Sequence, residues 1–379
     1  MKILIFYASY GGGHLNAAKS ILNCINKHFP DQEVEMIDCM KYINKPIEKV
    51  STAAYREMAK KAPKAWGRIY SHSQRGPLAL ISNDFNRIFS IKLYQLIEEK
   101  NPDLIISTHP FSSQMCSALK RRGKTNAKLA TIMTDFAPHD QWLVGHKYVD
   151  YYFVANTKMK EYLIKKEISQ ERIFVTGIPI SERFLETYNS ETIRKRYKLS
   201  KDRKTILFFG GGEFGLGENK TLKILESLIK DSSNLQIVAI SGKNPKMKSA
   251  FSKLISNIPD GNPVTLLEYT NEVPELMSVT DLIVTKPGGL TTSESLASHL
   301  PMLIINPIPG QEEENALFLE ANNVGVWLRN SDDIEETIHS LISNTEKLEI
   351  MKKNTFILAH PNSTLDICSI LLNKKEDIS

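Results

Sequence analysis

The chain has 379 residues, 41% hydrophobic and 24% charged, with a formal net charge of +5. That usage excludes a disordered chain, and the length exceeds one average domain of ~100–200 residues, so two domains are expected. No apolar run approaches the ~18–20 residues that span a bilayer, and the four cysteines (Cys24, Cys39, Cys116, Cys368) show neither a C-x-x-C pair nor metal-ligand spacing. A disulfide framework and a zinc site are therefore not expected, and a reducing cytoplasm is.

The N-terminus, Met1-Lys2-Ile3-Leu4-Ile5-Phe6-Tyr7, breaks at once into Ser9-Tyr10-Gly11-Gly12-Gly13. That is too short for a signal-peptide core and reads as a first strand. A basic segment follows. Residues Lys41 to Lys92 hold eleven Lys/Arg against Glu48, Glu57 and Asp84, a charge of +8 that leaves −3 for the rest. Tyr42, Tyr55, Trp66, Tyr70, Phe85 and Phe89 are interleaved with these bases. Such a stretch suits an anionic partner or a solvated helical face.

Strand-length apolar runs then alternate with helical patterns. Candidate strands are Ile3–Ala8, Leu104–Ser107, Leu129–Thr134, Tyr151–Ala155 and Ile173–Thr176. A basic break at Arg194–Lys204 precedes Thr205–Phe209, Leu235–Ser241, Val264–Glu268, Leu282–Thr285, Met302–Ile305 and Val326–Leu328. Helical patterns include His14–Lys27, Asn219–Lys230, Glu272–Ser278, Thr291–Ser298 and Glu312–Asn322. The alternation predicts an α/β protein with parallel sheets covered by helices. Two strand starts look alike: Lys2–Phe6 runs into Gly11–Gly13, and Lys204–Phe209 into Gly210–Gly212. Each has the form of the first turn of a doubly wound unit, so two Rossmann-like domains facing across a cleft are expected, joined near Gly177–Lys204. The divisions predicted are 1–180, 181–361 and a terminal helix, 362–379, that could pack back on the first domain.

Neither glycine turn matches G-x-G-x-x-G or a P-loop, but their N–H groups can approach a phosphate with a helix N-terminus behind. Lys286-Pro287-Gly288-Gly289-Leu290-Thr291-Thr292 forms a third such loop. Polar residues also cluster at predicted strand ends. His14 follows Gly13; Asp135 follows a strand, with His139 and Trp142 behind it; Glu294 lies one turn into a helix; Gln311 and Glu312 follow Pro309-Gly310. No D-x-D pair is present, so neither a metal-bridged diphosphate nor any metal site is indicated, and no cofactor is expected.

Tyr10–His14 with Ala17-Ala18, Thr134-Asp135-Phe136, Thr176–Ile180, Gly210–Gly212, Lys286–Gly289 and Pro309–Glu312 occur in one order. That order resembles the monogalactosyldiacylglycerol synthase and processive diacylglycerol β-glucosyltransferase family. Those are inverting glycosyltransferases of the GT-B fold, related to the N-acetylglucosaminyltransferase that makes lipid II. The similarity runs to about Leu328. It departs after the Gly-x-Pro-x turn, where Ser181 stands in the place of a common basic residue and Arg183 is the nearest base.

The resemblance implies transfer of glucose or galactose from a UDP-sugar, a substrate here, to the hydroxyl of diacylglycerol. It assigns the catalytic base to His14, with Asp135 as its partner or alternative, and the acceptor cleft to Gly12, Gly13, His139 and Trp142. Gly211 and Gly212 match the diphosphate loop, Tyr269 and Thr270 the uracil edge, and Gly288, Gly289 and Thr291 the phosphate turn. Glu294 matches the ribose acid, and Gln311 and Glu312 the sugar contacts. It gives the basic segment a role as well. An enzyme with a bilayer acceptor needs to dock on anionic lipid, here through Lys60, Lys61, Lys64 and Trp66 at the inner face of the cell membrane. No nucleic-acid motif accompanies the charge. Other readings of the pattern are N-acetylglucosamine transfer to a polyprenyl-diphosphate-linked sugar, UDP-sugar 2-epimerisation, and a regulator without catalysis.

Overall fold

The structure, a computed structural model, describes residues 1–9, 12–43, 92–210, 218–230, 235–257 and 264–373. The chain divides into two compact units, residues 1–182 with 360–379, and residues 183–359. The first unit runs β1 (Lys2–Tyr7), α1 (Gly12–His28), β2 (Glu33–Asp38), α2 (Cys39–Ile43), α3 (residues 92–100), β3 (Leu104–Ser107), α4 (Pro110–Arg121), β4 (Lys128–Ile132), β5 (Tyr151–Val154), α5 (Thr157–Lys165) and β6 (Ile173–Val175). The second runs α6 (Ser190–Tyr197), β7 (Lys204–Phe209), α7 (Glu218–Lys230), β8 (Leu235–Ile240), α8 (Pro245–Ser256), β9 (Val264–Leu267), α9 (Val273–Met277) and β10 (Leu282–Thr285). It continues through α10 (Gly289–Ala297), β11 (Met302–Ile304), α11 (Gln311–Ala321), β12 (Gly325–Trp327), α12 (Ile334–Ser343) and α13 (Thr345–Leu358). The chain then re-enters the first unit as α14 (Ser363–Leu372).

Each unit holds one six-stranded sheet, in the orders β2-β1-β3-β4-β5-β6 and β12-β11-β10-β7-β8-β9, and the strand pairs are parallel. Strands covered on both faces by helices must be apolar throughout, as in β8, where all six residues are buried. The one polar member of that run, Gln236, is satisfied: its amide donates to Ser200 O at 2.8 Å and Thr205 Oγ1 at 2.9 Å, and its carbonyl accepts from Ser200 N. Helix α1 buries Ala17, Ala18, Ile21, Cys24 and Ile25 at helical spacing, and the last four share a core with Ile367, Cys368 and Leu371 of α14.

The eleven strands expected from the sequence are all present. β2 is the twelfth, and it escaped the apolar-run criterion because it is an edge strand with Glu33 and Glu35 exposed, pairing with β1 alone. The basic break at 194–204 begins inside α6, whose Ile193 and Tyr197 are buried beneath exposed bases. The basic segment itself lies almost wholly outside the described residues, at 44–91, as do Gly211 and Gly212.

Close approach of neighbouring atoms requires glycine at several positions, Gly210 and Gly177 among them. A Cβ on Gly210 would lie 2.7 Å from Phe251 Cζ. Gly177 has φ +81°, and a Cβ there would lie 2.4 Å from His360 Cβ. The turn it opens is clamped by α14, since Ser363 Oγ donates to Ile178 O at 2.9 Å and Thr364 Oγ1 to Ile180 O at 2.6 Å. Gly177→Ala therefore combines left-handed strain with a collision against a neighbouring side chain's root. It should destabilise the first unit by about 1–3 kcal/mol, read as a lower urea midpoint, whereas Gly242→Ala, with open space around it, isolates the cost of positive φ alone.

Candidate active site

In doubly wound sheets, ligands bind beyond the carboxyl ends of the strands where the strand order reverses. In the first unit that point lies between β1 and β3. Helix α1 starts there, and His14 sits in its first turn. Its Nδ1 lies 2.7 Å from the carbonyl oxygen of Thr108 and 2.9 Å from Thr134 Oγ1. A carbonyl can only accept, so Nδ1 carries the proton and Nε2 carries the lone pair. Burial lowers the His14 pKa, while the negative charge of Asp135 and the bond to Thr108 oppose that shift.

Beside His14 stands His109, edge-on with ring centroids 4.6 Å apart. His109 caps α4 by accepting Phe111 N–H on Nδ1 at 3.1 Å. Burial, reinforced by the neighbouring histidines, holds it well below the ordinary histidine pKa. Asp135 is only 2% exposed. Its Oδ2 accepts Trp142 Nε1–H at 3.2 Å and lies 3.4 Å from His139 Nε2. Trp142 is fully buried, so it supports Asp135 from within rather than lining an open surface. Gly12 is exposed and Gly13 half-buried at the head of α1.

The second sheet reverses between β7 and β10. The loop after β10 passes through Lys286 and Pro287 to Gly288, which caps α10 with extended backbone and no side-chain hydrogen bond. The first-turn N–H groups of a helix have no intrahelical acceptor, so this end presents donors to an anion. Thr291 is half-buried there, and the buried hydroxyls of Thr292 and Ser293 make no hydrogen bond. Glu294 shares a helical face with Thr291, and helical side chains lean toward the N-terminus. Its carboxylate has no partner among the described residues, and burial pushes its pKa up to about 8.

Neighbouring groups brace this loop. Asn315 Nδ2 donates to Pro287 O at 2.9 Å. Glu312 Oε2 accepts Ile308 N–H at 2.7 Å, and Oε1 lies beside Gly288. Burial lowers the Lys286 pKa, opposed by the charge of Glu312. Glu312 thus spends one oxygen on its own loop, while Gln311 begins α11 half-buried. Tyr269 is exposed after β9 with Lys243 Nζ 4.2 Å from its ring centroid, and Thr270 Oγ1 accepts Glu272 N–H. Arg183 bonds Asn271 O and Glu275. Lys60, Lys61, Lys64, Trp66, Gly211 and Gly212 lie outside the described residues.

Sequence reasoning passed over Thr108, His109, and Lys286 as a charged group. The signal for the first two was present, since they directly follow β3 at the reversal point. Asn315 stands out in the sequence as the amide that ends the polar run from Gln311, but its partner, a backbone carbonyl 28 residues away, does not.

Two units, each a parallel six-stranded sheet with a polar cluster at its reversal point, have the GT-B architecture. The monogalactosyldiacylglycerol synthase family model matches residues 14–180, and the UDP-N-acetylglucosamine 2-epimerase model residues 144–372. The processive diacylglycerol β-glucosyltransferase of Bacillus subtilis (strain 168) is 31% identical over 99% of this chain and 96% of its own. That of Bacillus pumilus (strain SAFR-032) is 33% identical over 96% and 93%. Among solved structures, Acinetobacter baumannii MurG matches with TM-score 0.66 and 12% identity over 98% of this chain and 99% of that one. Neisseria meningitidis UDP-GlcNAc 2-epimerase bound to UDP-GlcNAc matches with TM-score 0.63 and 16% identity over 98% and 100%. These two share the fold. The chain belongs to the monogalactosyldiacylglycerol synthase and processive diacylglycerol β-glucosyltransferase family, and it is a glycosyltransferase.

Two pH effects follow from these environments. Burial holds His14 neutral below the ordinary histidine range and Asp135 opposes that shift. Asp135→Asn should therefore move the acid limb of kcat/KM to lower pH, and an unmoved or raised limb would show that Asp135 does not act on the titrating group. For Glu294, hydroxyl donors favour the ionised carboxylate, so UDP affinity should rise as pH climbs toward about 8 and level off above it. Glu294→Gln should flatten that dependence and weaken UDP binding by ~1.5–3 kcal/mol in calorimetry. A raised carboxyl pKa means stability is lost as pH rises through that value. The variant should accordingly melt above wild type at pH 9 and draw level with it toward pH 5.

Proposed function

We propose that the protein transfers a hexose, glucose in the first instance, from a UDP-sugar to the hydroxyl of diacylglycerol with inversion at the anomeric carbon. The observation that carries this reading is His14: an imidazole whose pKa burial lowers, with no partner for its Nε2 among the described residues, at the reversal point of the first sheet, in a chain whose full-length relatives are named diacylglycerol β-glucosyltransferases. The lipid oxygen forms its bond to the anomeric carbon as the bond to UDP breaks on the opposite face. His14 Nε2 takes the hydroxyl proton, and Asp135 stabilises the imidazolium that results. Glu294 accepts the ribose hydroxyls, and the open N-terminus of α10 meets the charge developing on the diphosphate. An α-linked UDP-sugar and a β-linked product require a single displacement, which matches one base and no nucleophile.

The +8 segment at 41–92 supports docking on anionic lipid, where each basic residue near the surface contributes up to ~1 kcal/mol. No helix of the described residues is long and apolar enough to cross a membrane. The epimerase match over 144–372 supports a second reading, in which the UDP-sugar is rearranged without an acceptor.

One experiment separates these readings. Purified protein is incubated with each radiolabelled UDP-sugar, with and without diacylglycerol in phosphatidylglycerol vesicles, and products are resolved by thin-layer chromatography. Labelled glycolipid and diacylglycerol-dependent UDP release are expected. A rearranged UDP-sugar without diacylglycerol would establish the epimerase instead. His14→Ala should lower turnover by roughly 10²–10⁴-fold with UDP affinity unchanged. Replacing Lys60, Lys61 and Lys64 by Glu should release the protein from vesicles with UDP affinity again unchanged, and retained vesicle binding would place docking elsewhere.

A further inference from the structure

The amino edge of the first sheet, opposite His14, carries a cavity of about 260 Å³ that none of the chemistry above uses. Parallel strands begin on a common edge, and the cavity gathers residues from three such beginnings. Lys128 opens β4, Tyr151 opens β5, and Arg172 precedes β6. Lys120, from the last turn of α4, and Lys147, from the segment before β5, complete a set of four cations.

One acid lies among them, and it is already engaged. Asp150 Oδ2 accepts Leu129 N–H at 2.7 Å and the Lys120 ammonium, and Oδ1 lies 3.7 Å from Lys128 Nζ. The lining therefore carries a net +3. Arg172 is held in place by the carbonyls of Lys147 and Val149, at 3.5 and 3.4 Å, rather than by a carboxylate. Neither Lys147 nor Arg172 has an acidic partner among the described residues. Lys120 is largely withdrawn from solvent, with 14% side-chain exposure, which strengthens its field in the cavity. Converging cations, with Tyr148 also in the lining, are the chemistry that recognises a phosphate dianion.

We propose that this cavity is a binding site for a small soluble phosphate monoester, separate from the donor and acceptor sites. The charge favours this ligand over a phosphodiester headgroup, since a monoester carries close to two negative charges and a diester one.

The site is tied to the catalytic loop by a short path. From Asp135 and His139 the chain runs along α4 to Lys147 and Asp150 in one crossover, in which Gly145, with φ +80°, packs against Ser117. A ligand that fixes Lys147 thereby fixes the far end of the segment holding Trp142 and Asp135.

The test uses full-length protein saturated with UDP, so that the donor site is filled. Line broadening in ³¹P NMR is followed for inorganic phosphate and for glycerol 3-phosphate, with Lys147→Gln/Arg172→Gln as the variant. Both replaced side chains are exposed. Saturable broadening in wild type, weakened by roughly tenfold or more in the variant as expected for loss of two cationic partners, supports the site. Lys128→Gln, at an exposed strand start, gives an independent reading and should weaken it to a lesser degree. Equal broadening in wild type and both variants, or none in wild type, overturns the proposal. In a parallel arm, co-sedimentation with phosphatidylglycerol vesicles should be the same for wild type and double variant. Loss of sedimentation in the variant would overturn the soluble-ligand assignment in favour of a lipid headgroup.

Discussion

Because the strand pairs in both sheets are parallel, each strand must be followed by a crossover that returns the chain to the same edge. All carboxyl ends then gather on one edge of each sheet and all amino ends on the other. The reversal of strand order opens a gap in the crossovers at β1/β3 in one unit and β7/β10 in the other. No side chain chooses those places; they follow from topology. His14 and Thr108 lie at the first, and Gly288 and Glu294 follow the strand at the second. The same geometry sets Lys128, Tyr151 and Arg172 together at the opposite edge of the first sheet. One constraint thus sorts neutral, poised groups to one edge and a cationic lining to the other.

The poised groups share a physical device. His14 and His109 are lowered by burial, and Glu294 is raised by it to about 8. In each case, protein that excludes water disfavours the charged form, so the histidines stay neutral and a carboxyl stays protonatable near neutrality. The arrangement costs stability in the empty protein, since Glu294 pays for its ionisation with no hydrogen bond among the described residues to offset it. A ligand that donates to that carboxylate recovers the difference, which converts a defect of the free fold into binding selectivity for hydroxyl donors.

Much of this was legible in the sequence because the signals were local. Buried parallel strands need apolar runs, so eleven strands stand out from the sequence, and the polar residues directly after them mark the loops at the reversal points. What stayed hidden depended on partners. β2 alternates charge and apolar residues because only one side of an edge strand is sheltered. The tautomer of His14 is set by a carbonyl 94 residues away, and the loop at Pro287 by an asparagine 28 residues on. Trp142 read from sequence as an aromatic for the acceptor cleft, yet it is fully buried against Asp135. Aromatic composition cannot distinguish a surface platform from an internal support, because both need a large apolar body with one polar handle.

That internal support bears on how Asp135 can act. A carboxylate in open solvent next to an imidazole is screened, and its field falls off within a few ångströms of water. Asp135 is 2% exposed, and its Oδ2 accepts the Trp142 indole N–H and lies 3.4 Å from His139 Nε2. In this buried setting the negative charge of Asp135 opposes the shift that burial alone would impose on His14. A base must be neutral before reaction and tolerate a proton after it. Burial secures the first condition, and a shielded carboxylate secures the second. In the reaction proposed above, Asp135 would serve as the positioning and stabilising partner, and His14, whose Nε2 has no partner among the described residues, as the group that meets the acceptor proton.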